Sequence, residues 1–480
     1  MADLVERIGI HVLMDPATIL LLRPGALSRN SDLRVFLMAD HCYAFPLEIM
    51  MNTPNTTTDG GALEQSGKQV LNDLRELASL TSDDKGAQRV AWGPIWRQSR
   101  EWFTKKVTDE LGLSVERDAA GNAWVTIPGD SDKTVIVAGH LDSVPNGGWL
   151  DGCLGTLTAL EALRRYAKQE NKPVTLKLVD WADEEGARFG RSLLGSSAAG
   201  GSLKIEEISG LKDRDGVNQL DALRENDVEP DQMLDAHKAL KAINAKAYLE
   251  LHIEQGPVLE AMDKPTGVVL GTFGVERHMV RFTGQAAHSG STPIPMRRDA
   301  FLAAAQFALE VREIAKRNST PEAGVVCTCG IVNVEPCIVT AVPGVCEISI
   351  DQRALDADVL ARMFAEAQAA AKQAAQDNNV TVEINKIWTI EPRPFDPDLI
   401  RICAEAVQEA TGDAPKLPSG PLHDAAEMVP HMPTVMMFAY SSNGLSHCKE
   451  EDTPEEYVDL TARAFMLLTE KTIAHVAAND

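Results

Sequence analysis

The fold is decided by residues 134–142, TVIVAGHLD, where an apolar segment ends in a histidine and a carboxylate. Two later segments repeat this pattern: residues 174–179 run into an acidic triplet, and residues 247–251 run into His252. Between the first two segments, residues 154–168 have the periodicity of a helix. Strand, helix and strand at this spacing predict an open, largely parallel α/β sheet, whose chemistry gathers at the carboxyl ends of its strands.

Histidines and carboxylates stand at or beside the ends of these strands and of a later one at 434–439. Imidazole and carboxylate donors together suit zinc, manganese and similar divalent ions, and a shared carboxylate can bridge two of them. Asp151 follows a Gly-Gly loop that is flexible enough to bring its carboxylate back over His140. One such residue alone would be unremarkable, but a set at separate strand ends indicates a metal centre. The five candidate ligands are His140, Asp151, Glu185, His252 and His447.

Two further carboxylates accompany these ligands. Asp142 lies two residues after His140, on the same side of an extended strand, and is predicted to accept the free imidazole N–H. Glu184 directly precedes Glu185, so that one of the pair can bind metal while the other takes a proton from water. We expect both Asp142 and Glu184 to serve catalysis.

A different pattern of predicted elements follows at about 267–390, where strands and helices occur in the order βαββαβ. This order predicts a small ferredoxin-like α+β domain inserted into the larger α/β domain. Its third element is predicted as one strand, at 324–332. The predicted organisation is an N-terminal extension at 1–60, a catalytic domain at 61–265 and 391–480, and the small domain at 266–390.

Composition limits the classes of function. The 480 residues include 70 acidic and 46 basic side chains, a formal charge of −24. This balance argues against nucleic acid or an anionic membrane as the main partner. No stretch approaches the roughly 18 apolar residues of a transmembrane helix. The eight cysteines are spread along the chain without a zinc-ribbon spacing, which favours reduced thiols in a cytoplasmic enzyme.

Ordered motifs carry a resemblance to a known family. They are HLDSVPNGGWLDG at 140–152, DEEGARFGRSLLG at 183–195, ELHIEQGP at 250–257, GQAAHSGSTP at 284–293, VPG at 342–344, DQR at 351–353, HDA at 423–425 and GLSH at 444–447. The set resembles the amidase/hydantoinase–carbamoylase branch of the dinuclear metallopeptidases, over residues 65–475. That branch includes N-carbamoyl-L-amino-acid hydrolases, allantoate amidohydrolases and yeast-type β-alanine synthases.

The resemblance implies a role for each matching residue. Asp151 would bridge two divalent ions per chain, zinc first and manganese, cobalt or nickel as alternatives. His140 and His252 would complete one metal site, Glu185 and His447 the other. Glu184 would be the general base. The small domain would serve as a dimerisation and lid domain, with His288 delivered across a homodimer to stabilise the tetrahedral intermediate.

The substrate pocket both matches the family and departs from it. His423 resembles the residue that contacts the ureido group, and Gln255 and Arg353 resemble those that hold the substrate carboxylate. The family usually has asparagine where this chain has Thr340, and glycine where it has Leu422. We therefore expect the catalytic machinery to be kept and the substrate recognition to be altered.

The predicted activity is metal-dependent hydrolysis of a linear amide or ureido C–N bond, with Glu184 as general base. The simplest small-molecule substrate is an N-carbamoyl-L-amino acid. Alternatives are an N-acyl-amino-acid or dipeptide hydrolase with the same metals, an allantoate amidohydrolase, and a catalytically silent binding protein on the same fold.

Overall fold

The computed structural model describes residues 60–320 and 324–479, with side chains described from residue 63. The predicted extension at 1–60 therefore falls outside the described residues except for its last position. The strands are β1 Ser82–Asp83, β2 Gly86–Ala87, β3 Val115–Arg117, β4 Ala123–Ile127, β5 Thr134–His140, β6 Thr175–Trp181, β7 Ala245–Ile253, β8 Thr266–Thr272, β9 Gly274–Thr283, β10 Ala287–His288, β11 Val326–Thr328, β12 Val332–Glu335, β13 Ala341–Val342, β14 Val345–Ala354, β15 Thr381–Ile390, β16 Arg393–Pro394, β17 Lys416–Ser419 and β18 Thr434–Ala439. The helices are α1 Gly60–Thr81, α2 Pro94–Leu111, α3 Cys153–Ala167, α4 Leu194–Gly200, α5 Ile205–Ile208, α6 Gln219–Arg224, α7 Asp235–Ala242, α8 Val258–Met262, α9 Ala300–Asn318, α10 Ala357–Asp377, α11 Pro397–Thr411, α12 Asp424–Met428 and α13 Glu455–Ala478.

The larger sheet is mixed, and its centre is parallel as predicted. Its strands lie in the order β16-β8-β18-β7-β5-β6-β4-β3, with β17 also paired to β8. The four neighbours β18, β7, β5 and β6 run parallel, so their carboxyl ends meet at one edge of the sheet. The outer pairs of β4 with β6 and of β8 with β18 are antiparallel.

Strand β5 is buried along its whole length, because both faces of the sheet are covered. Alternate side chains enter different cores: Val135 and Val137 pack in one, and Ile136 and Ala138 in the other. The first core includes residues of α3, α11 and α13, and the second includes residues of α4 and α7. A strand buried on both faces reads as a continuous apolar run, which is the signal that residues 134–138 carry.

The smaller sheet is antiparallel and lies in the order β11-β14-β9-β15, with β12 also paired to β14. Helices α9 and α10 share an apolar core with alternate residues of β9 and β14, as the predicted βαββαβ sandwich requires. Both helices begin at aspartates that accept backbone N–H bonds, Asp299 and Asp356, which are favourable N-caps.

The single strand predicted at 324–332 is wrong: two short strands, β11 and β12, take its place against β14. Thr328 pairs with Asp351 and Val332 with Ile348. The segment from β11 to β12 therefore advances four residues where β14 advances three, so it contains one extra residue. This is a bulge. The hydroxyl of Ser349 accepts the N–H groups of Gly330 and Ile331 at 3.2 and 2.9 Å, which satisfies the backbone where the ladder is interrupted.

Among the helices in the described part of the chain, none has the length and apolar character to cross a membrane.

Candidate metal centre

The carboxyl ends of β5 and β7 bring two of the predicted histidines together. Ala138 pairs with Glu250 in this parallel register, so His140 and His252, each two residues further on, stand side by side. Both imidazoles are buried, and their Nε2 atoms are 3.4 Å apart. The sheet register therefore builds the first half of the centre.

Asp151 returns over His140 in the loop before α3, as the glycine-rich sequence predicts. Its Oδ1 lies 3.5 Å from His140 Nε2 and 3.1 Å from His252 Nε2. Gly152 makes this approach possible, because it adopts a φ of +66° and a Cβ there would stand 2.3 Å from the His140 ring.

The hydrogen bonds of the two rings aim their Nε2 lone pairs at a common point. His252 Nδ1 lies 2.9 Å from the carbonyl oxygen of Ile253, and His140 Nδ1 lies 3.2 Å from that of Asp142. Since each Nδ1 donates to a carbonyl, the neutral form of each ring has its lone pair at Nε2. Two such lone pairs facing each other beside a carboxylate repel one another unless a proton or a metal cation lies between them. This donor set therefore fits a divalent metal.

A second group shares Asp151. His447 Nε2 lies 3.3 Å from Glu185 Oε2 and 3.5 Å from Asp151 Oδ2. Each group of three places its ligand atoms within 4.8 Å of one another. The first group is buried, whereas the His447 side chain is 49% exposed, so the second group opens toward solvent. All five predicted ligands are thus brought together, with Asp151 in the position of a bridge.

Glu184 lies beside the first group without belonging to either one. Its Oε2 is 3.7 Å from His140 Nε2, and the side chain is almost wholly buried. Burial raises the pKa of this carboxyl well above its usual range, partly offset by the nearby His140. A carboxylate that is next to the ligands and still free is suited to exchange protons.

Asp142 makes a different main contact from the one predicted. Its carboxylate is 3.5 Å from His140 Nδ1, whereas its own backbone carbonyl is nearer, at 3.2 Å. Its two oxygens instead accept the backbone N–H groups of Glu184 and Glu185, at 3.2 and 3.1 Å. The strand ends at His140, so the alternation that would direct Asp142 to the ring stops there. Asp142 therefore positions the pair of glutamates more directly than the imidazole.

Buried carboxyl groups crowd this edge of the sheet. Burial raises the pKa of Glu184 and Glu185 well above the usual range, and burial with the charge of Asp142 raises that of Asp183 to about 8. The carboxylates Glu184, Asp142 and Asp151 hold the pKa of His140 well above its usual value despite burial. Without metal, the folded state therefore binds protons that the unfolded chain releases.

This imbalance predicts a pH dependence for the metal-free protein. From about pH 4.5 to 8 the folded state holds more protons than the unfolded one, so the free energy of unfolding should fall as pH rises. Added metal replaces those protons, so the gain in melting temperature on adding zinc should be larger at pH 8 than at pH 5.5. Differential scanning calorimetry in chelator and in metal checks both statements. A metal-free melting temperature that rises between pH 5.5 and 8 would contradict them.

Two predicted substrate residues reach the centre. Gln255 Nε2 donates to Asp151 Oδ2 at 2.8 Å and lies 3.1 Å from His447 Nε2. The ring of His423 is buried 4.3 Å from that of His252, and neither of its nitrogens has a hydrogen-bond partner among the described residues. A buried imidazole with two free nitrogens beside the ligands is available to a polar substrate group.

Arg353 lies on strand β14 and contacts the loop between β17 and α12, which carries Leu422. Arg353 is bound to Asp351, with Nε 2.9 Å from Oδ1, and its Nη1 lies 3.3 Å from the carbonyl oxygen of Gly420. Leu422 is half-buried between Gly420 and His423. Arg353 is therefore joined to the loop that carries His423.

His288 and Thr340 lie together and away from these contacts. Both are exposed, and the backbone N–H of Ser289 donates to the carbonyl oxygen of Thr340 at 2.9 Å. Within residues 60–320 and 324–479, no hydrogen bond or ion pair links His288 to the five ligands. Its Nδ1 instead accepts the N–H groups of Gly290 and Ser291.

Sequence reasoning missed two residues that support the ligands. Ser446 Oγ lies 3.0 Å from Asp151 Oδ2, and Glu451 accepts backbone N–H bonds from the segments that carry Asp151 and His447. Glu451 stands in the run KEED at 449–452, which is typical of a solvated surface, so composition offered no signal.

Comparison with known proteins decides the family. Residues 136–471 match the model of peptidase family M20/M25/M40, and this range holds every predicted ligand. The chain belongs to this family. The expectation of a metallopeptidase-like α/β fold is thereby confirmed.

Curated relatives within the family are amidohydrolases. The chain is 33% identical over 404 residues to N-carbamoyl-L-amino acid amidohydrolase of Geobacillus stearothermophilus, covering 81% of this chain and 94% of the relative. It is 31% identical over 382 residues to allantoate amidohydrolase of Escherichia coli (strain K12), covering 78% and 91%. A solved amidase of the hydantoinase/carbamoylase family from Burkholderia multivorans superposes with a TM-score of 0.73 at 30% identity, covering 84% and 97%. The chain is therefore an enzyme of the hydrolase class, and the resemblance stated from its motifs is confirmed.

Proposed function

We propose that this chain hydrolyses the linear C–N bond of an N-carbamoyl-L-amino acid or a closely related ureido compound. The observation that carries the proposal is the pair of three-ligand groups that share Asp151, with the uncommitted Glu184 3.7 Å from His140. The amidohydrolase relatives support the same bond class.

We propose that the two groups hold two divalent ions, with zinc as the first choice and manganese, cobalt or nickel as alternatives. His140, His252 and Asp151 would hold one ion, and Glu185, His447 and Asp151 the other. Such a pair would supply Lewis acidity toward water and toward the substrate carbonyl. The remaining chemistry belongs to the side chains.

Glu184 performs the proton transfers in this proposal. Its carboxylate takes a proton from the attacking water as the new C–O bond forms at the ureido carbon. It then gives that proton to the amino-acid nitrogen as the C–N bond breaks. The products are the free amino acid and carbamate, which decomposes to ammonia and carbon dioxide. His423 is placed to donate to the ureido group, since both of its ring nitrogens are free.

Arg353 would hold the substrate carboxylate. A groove of about 710 Å³ on the open face of the smaller sheet is lined by Arg353 and Arg277, by the apolar Phe273 and Ile331, and by Gly420. Asp351 already binds both guanidinium groups, at 2.9 Å to Arg353 Nε and 2.6 Å to Arg277 Nε. Two cations around one carboxylate leave positive charge for an anionic substrate group, with apolar walls beside it.

Substrate preference tests the proposal and separates it from its alternatives. We expect ammonia release from N-carbamoyl-L-amino acids to exceed hydrolysis of N-acyl amino acids and dipeptides, with allantoate as the rival ureido substrate. Thr340 and Leu422 replace the usual amide and glycine, and Thr340 lies beside His288, which a homodimer would bring to the partner's site. The rate on N-carbamoyl amino acids should therefore rise on changing Thr340→Asn and Leu422→Gly together. The hydrogen bond restored to a charged group corresponds to about a ten- to hundredfold gain in kcat/KM. The measurement is kcat/KM across this panel.

The matched control is Arg353→Ala, which should harm carboxylate-bearing substrates far more than neutral amides. Faster turnover of acyl amino acids or dipeptides than of any ureido compound would replace the proposal with the peptidase-like alternative. No hydrolysis of any member by metal-loaded protein would favour the silent binding protein.

We further propose that residues 266–390 form a small dimerisation and lid domain between the two parts of the catalytic domain, 61–265 and 391–480. The loops around His288 expose apolar side chains, with Ile294 78%, Met296 73% and Val339 100% accessible. Leu309 on α9 is 66% exposed. Exposed apolar groups of this size support a homodimer contact, with His288 reaching the partner's metal centre.

Mixed dimers test this sharing of sites. His288→Ala and Glu184→Ala chains should each be nearly inactive alone, because each lacks one part of every site. Mixed, they form one intact site per heterodimer, so purified heterodimers should have about half of the wild-type activity, and an unpurified random 1:1 mixture about a quarter. The measurement is activity of purified, differently tagged heterodimers. Heterodimers as inactive as either parent would show that His288 acts within its own chain or not at all.

We also propose a cytoplasmic location and a small-molecule substrate as the only class of partner besides a second copy of the chain. The acidic balance supports the exclusion of nucleic acid and anionic membranes.

A further inference from the structure

Glu451 is a buried carboxylate whose two oxygens face two different ligand-bearing segments. Oε1 accepts the backbone N–H groups of Leu150 and Asp151, at 3.2 and 3.0 Å. Oε2 lies 3.3 Å from the backbone nitrogen of His447 and 3.0 Å from Ser446 Oγ. One side chain thus joins the loop before α3 to the loop that follows β18, about 300 residues apart in sequence.

The surroundings are shaped for this contact. A Cβ on Gly148 would lie 2.1 Å from Glu451 Oε1, so a glycine at that position allows the carboxylate to approach. The adjacent Asp452 repeats the link, since its Oδ1 accepts the indole N–H of Trp149 at 3.2 Å. Glu451 is only 2% exposed.

We propose that Glu451 is a positioning residue that holds Asp151 and His447 at the spacing required by the second metal group. The inference rests on the proposed dinuclear function. Glu185 and His140 lie on other segments, so only the second group has two of its three ligands on segments that Glu451 joins. Loss of Glu451 should therefore affect the second ion more than the first.

The donor pattern makes glutamine an informative replacement. Four donors converge on the side chain: three backbone N–H groups and the Ser446 hydroxyl. A glutamine of the same size keeps one acceptor oxygen, while its NH₂ group must face two donors on the other side. One of the two segments is then released without opening a cavity.

The experiment measures metal binding by Glu451→Gln, with Glu450→Gln as the matched control. Glu450 is the exposed neighbour, and the control makes the same change of charge. Zinc dissociation constants come from competition with a chromophoric chelator. We expect the weaker of the two zinc ions to bind ten- to a hundredfold less tightly in Glu451→Gln, the range typical of residues that orient ligands. Glu450→Gln should match the wild type, and excess zinc should restore most of the kcat of Glu451→Gln.

Metal binding separates this inference from the proposed function. A wild type that binds no metal contradicts the proposed function, whereas two ions bound equally well by wild type and Glu451→Gln overturn only the positioning role. If Glu451→Gln does not fold, Ser446→Ala removes one of the four donors and should still weaken the second ion severalfold. An unchanged affinity in that variant would overturn the inference as well.

Discussion

Glu184→Gln is expected to lower kcat by about 10²- to 10⁴-fold, the range that general acid–base catalysis contributes. The amide keeps the size of the side chain but cannot take a proton from water or return one to the leaving nitrogen. Because Glu184 belongs to neither ligand group, both metal ions should stay bound and KM should change little. Steady-state kinetics on the best ureido substrate, with metal content measured on the same samples, provides the check.

Glu225→Gln is the control for this change. It removes the same charge, and Glu225 is an exposed residue that belongs to neither ligand group. It should retain wild-type kinetics. A Glu184→Gln variant with kcat within a few-fold of the wild type would assign the proton transfers to another group.

Asp151→Asn is expected to empty both metal sites and abolish activity. Asp151 supplies Oδ1 to the first group and Oδ2 to the second, so one substitution removes the anionic ligand that the two groups share. We expect metal affinity to fall by more than about a hundredfold, beyond the range typical of residues that only orient ligands. Elemental analysis after dialysis should find less than one ion per chain, against two in the wild type.

His447→Ala is the matched variant that should empty only one of the two metal sites. His447 belongs only to the second group, so this variant should retain one ion, held by His140, His252 and Asp151. If Asp151→Asn also kept one ion, Asp151 would not be a bridge.

The sequence was sufficient for the parts of the site that depend on local order. Residues 134–138 predict a buried strand because each position is apolar or small, and parallel neighbours bring such strand ends to one edge. That rule alone predicts that the ligands His140, His252 and Glu185 lie close together. Asp151 required the further idea that a glycine-rich loop returns over the strand end.

Contacts between distant segments were beyond this reasoning. Glu451 lies among charged residues that resemble a solvated surface, and only folding shows that it meets the N–H groups of Leu150 and Asp151. The sequence placed Asp142 beside His140, but it gave no sign of the two bonds that Asp142 accepts from the backbone of Glu184 and Glu185. The hydroxyl of Ser349, on the neighbouring strand β14, satisfies the backbone at the bulge between β11 and β12, and no local pattern encodes this contact.

The central claim is that two shared-ligand metal groups make this chain a ureido hydrolase. The most direct test is to titrate chelator-treated protein with zinc or manganese while measuring ammonia release from an N-carbamoyl-L-amino acid. We predict no release without metal and a rise that saturates at two ions per chain. Undiminished release in the presence of chelator, from protein shown by elemental analysis to be metal-free, would contradict the claim.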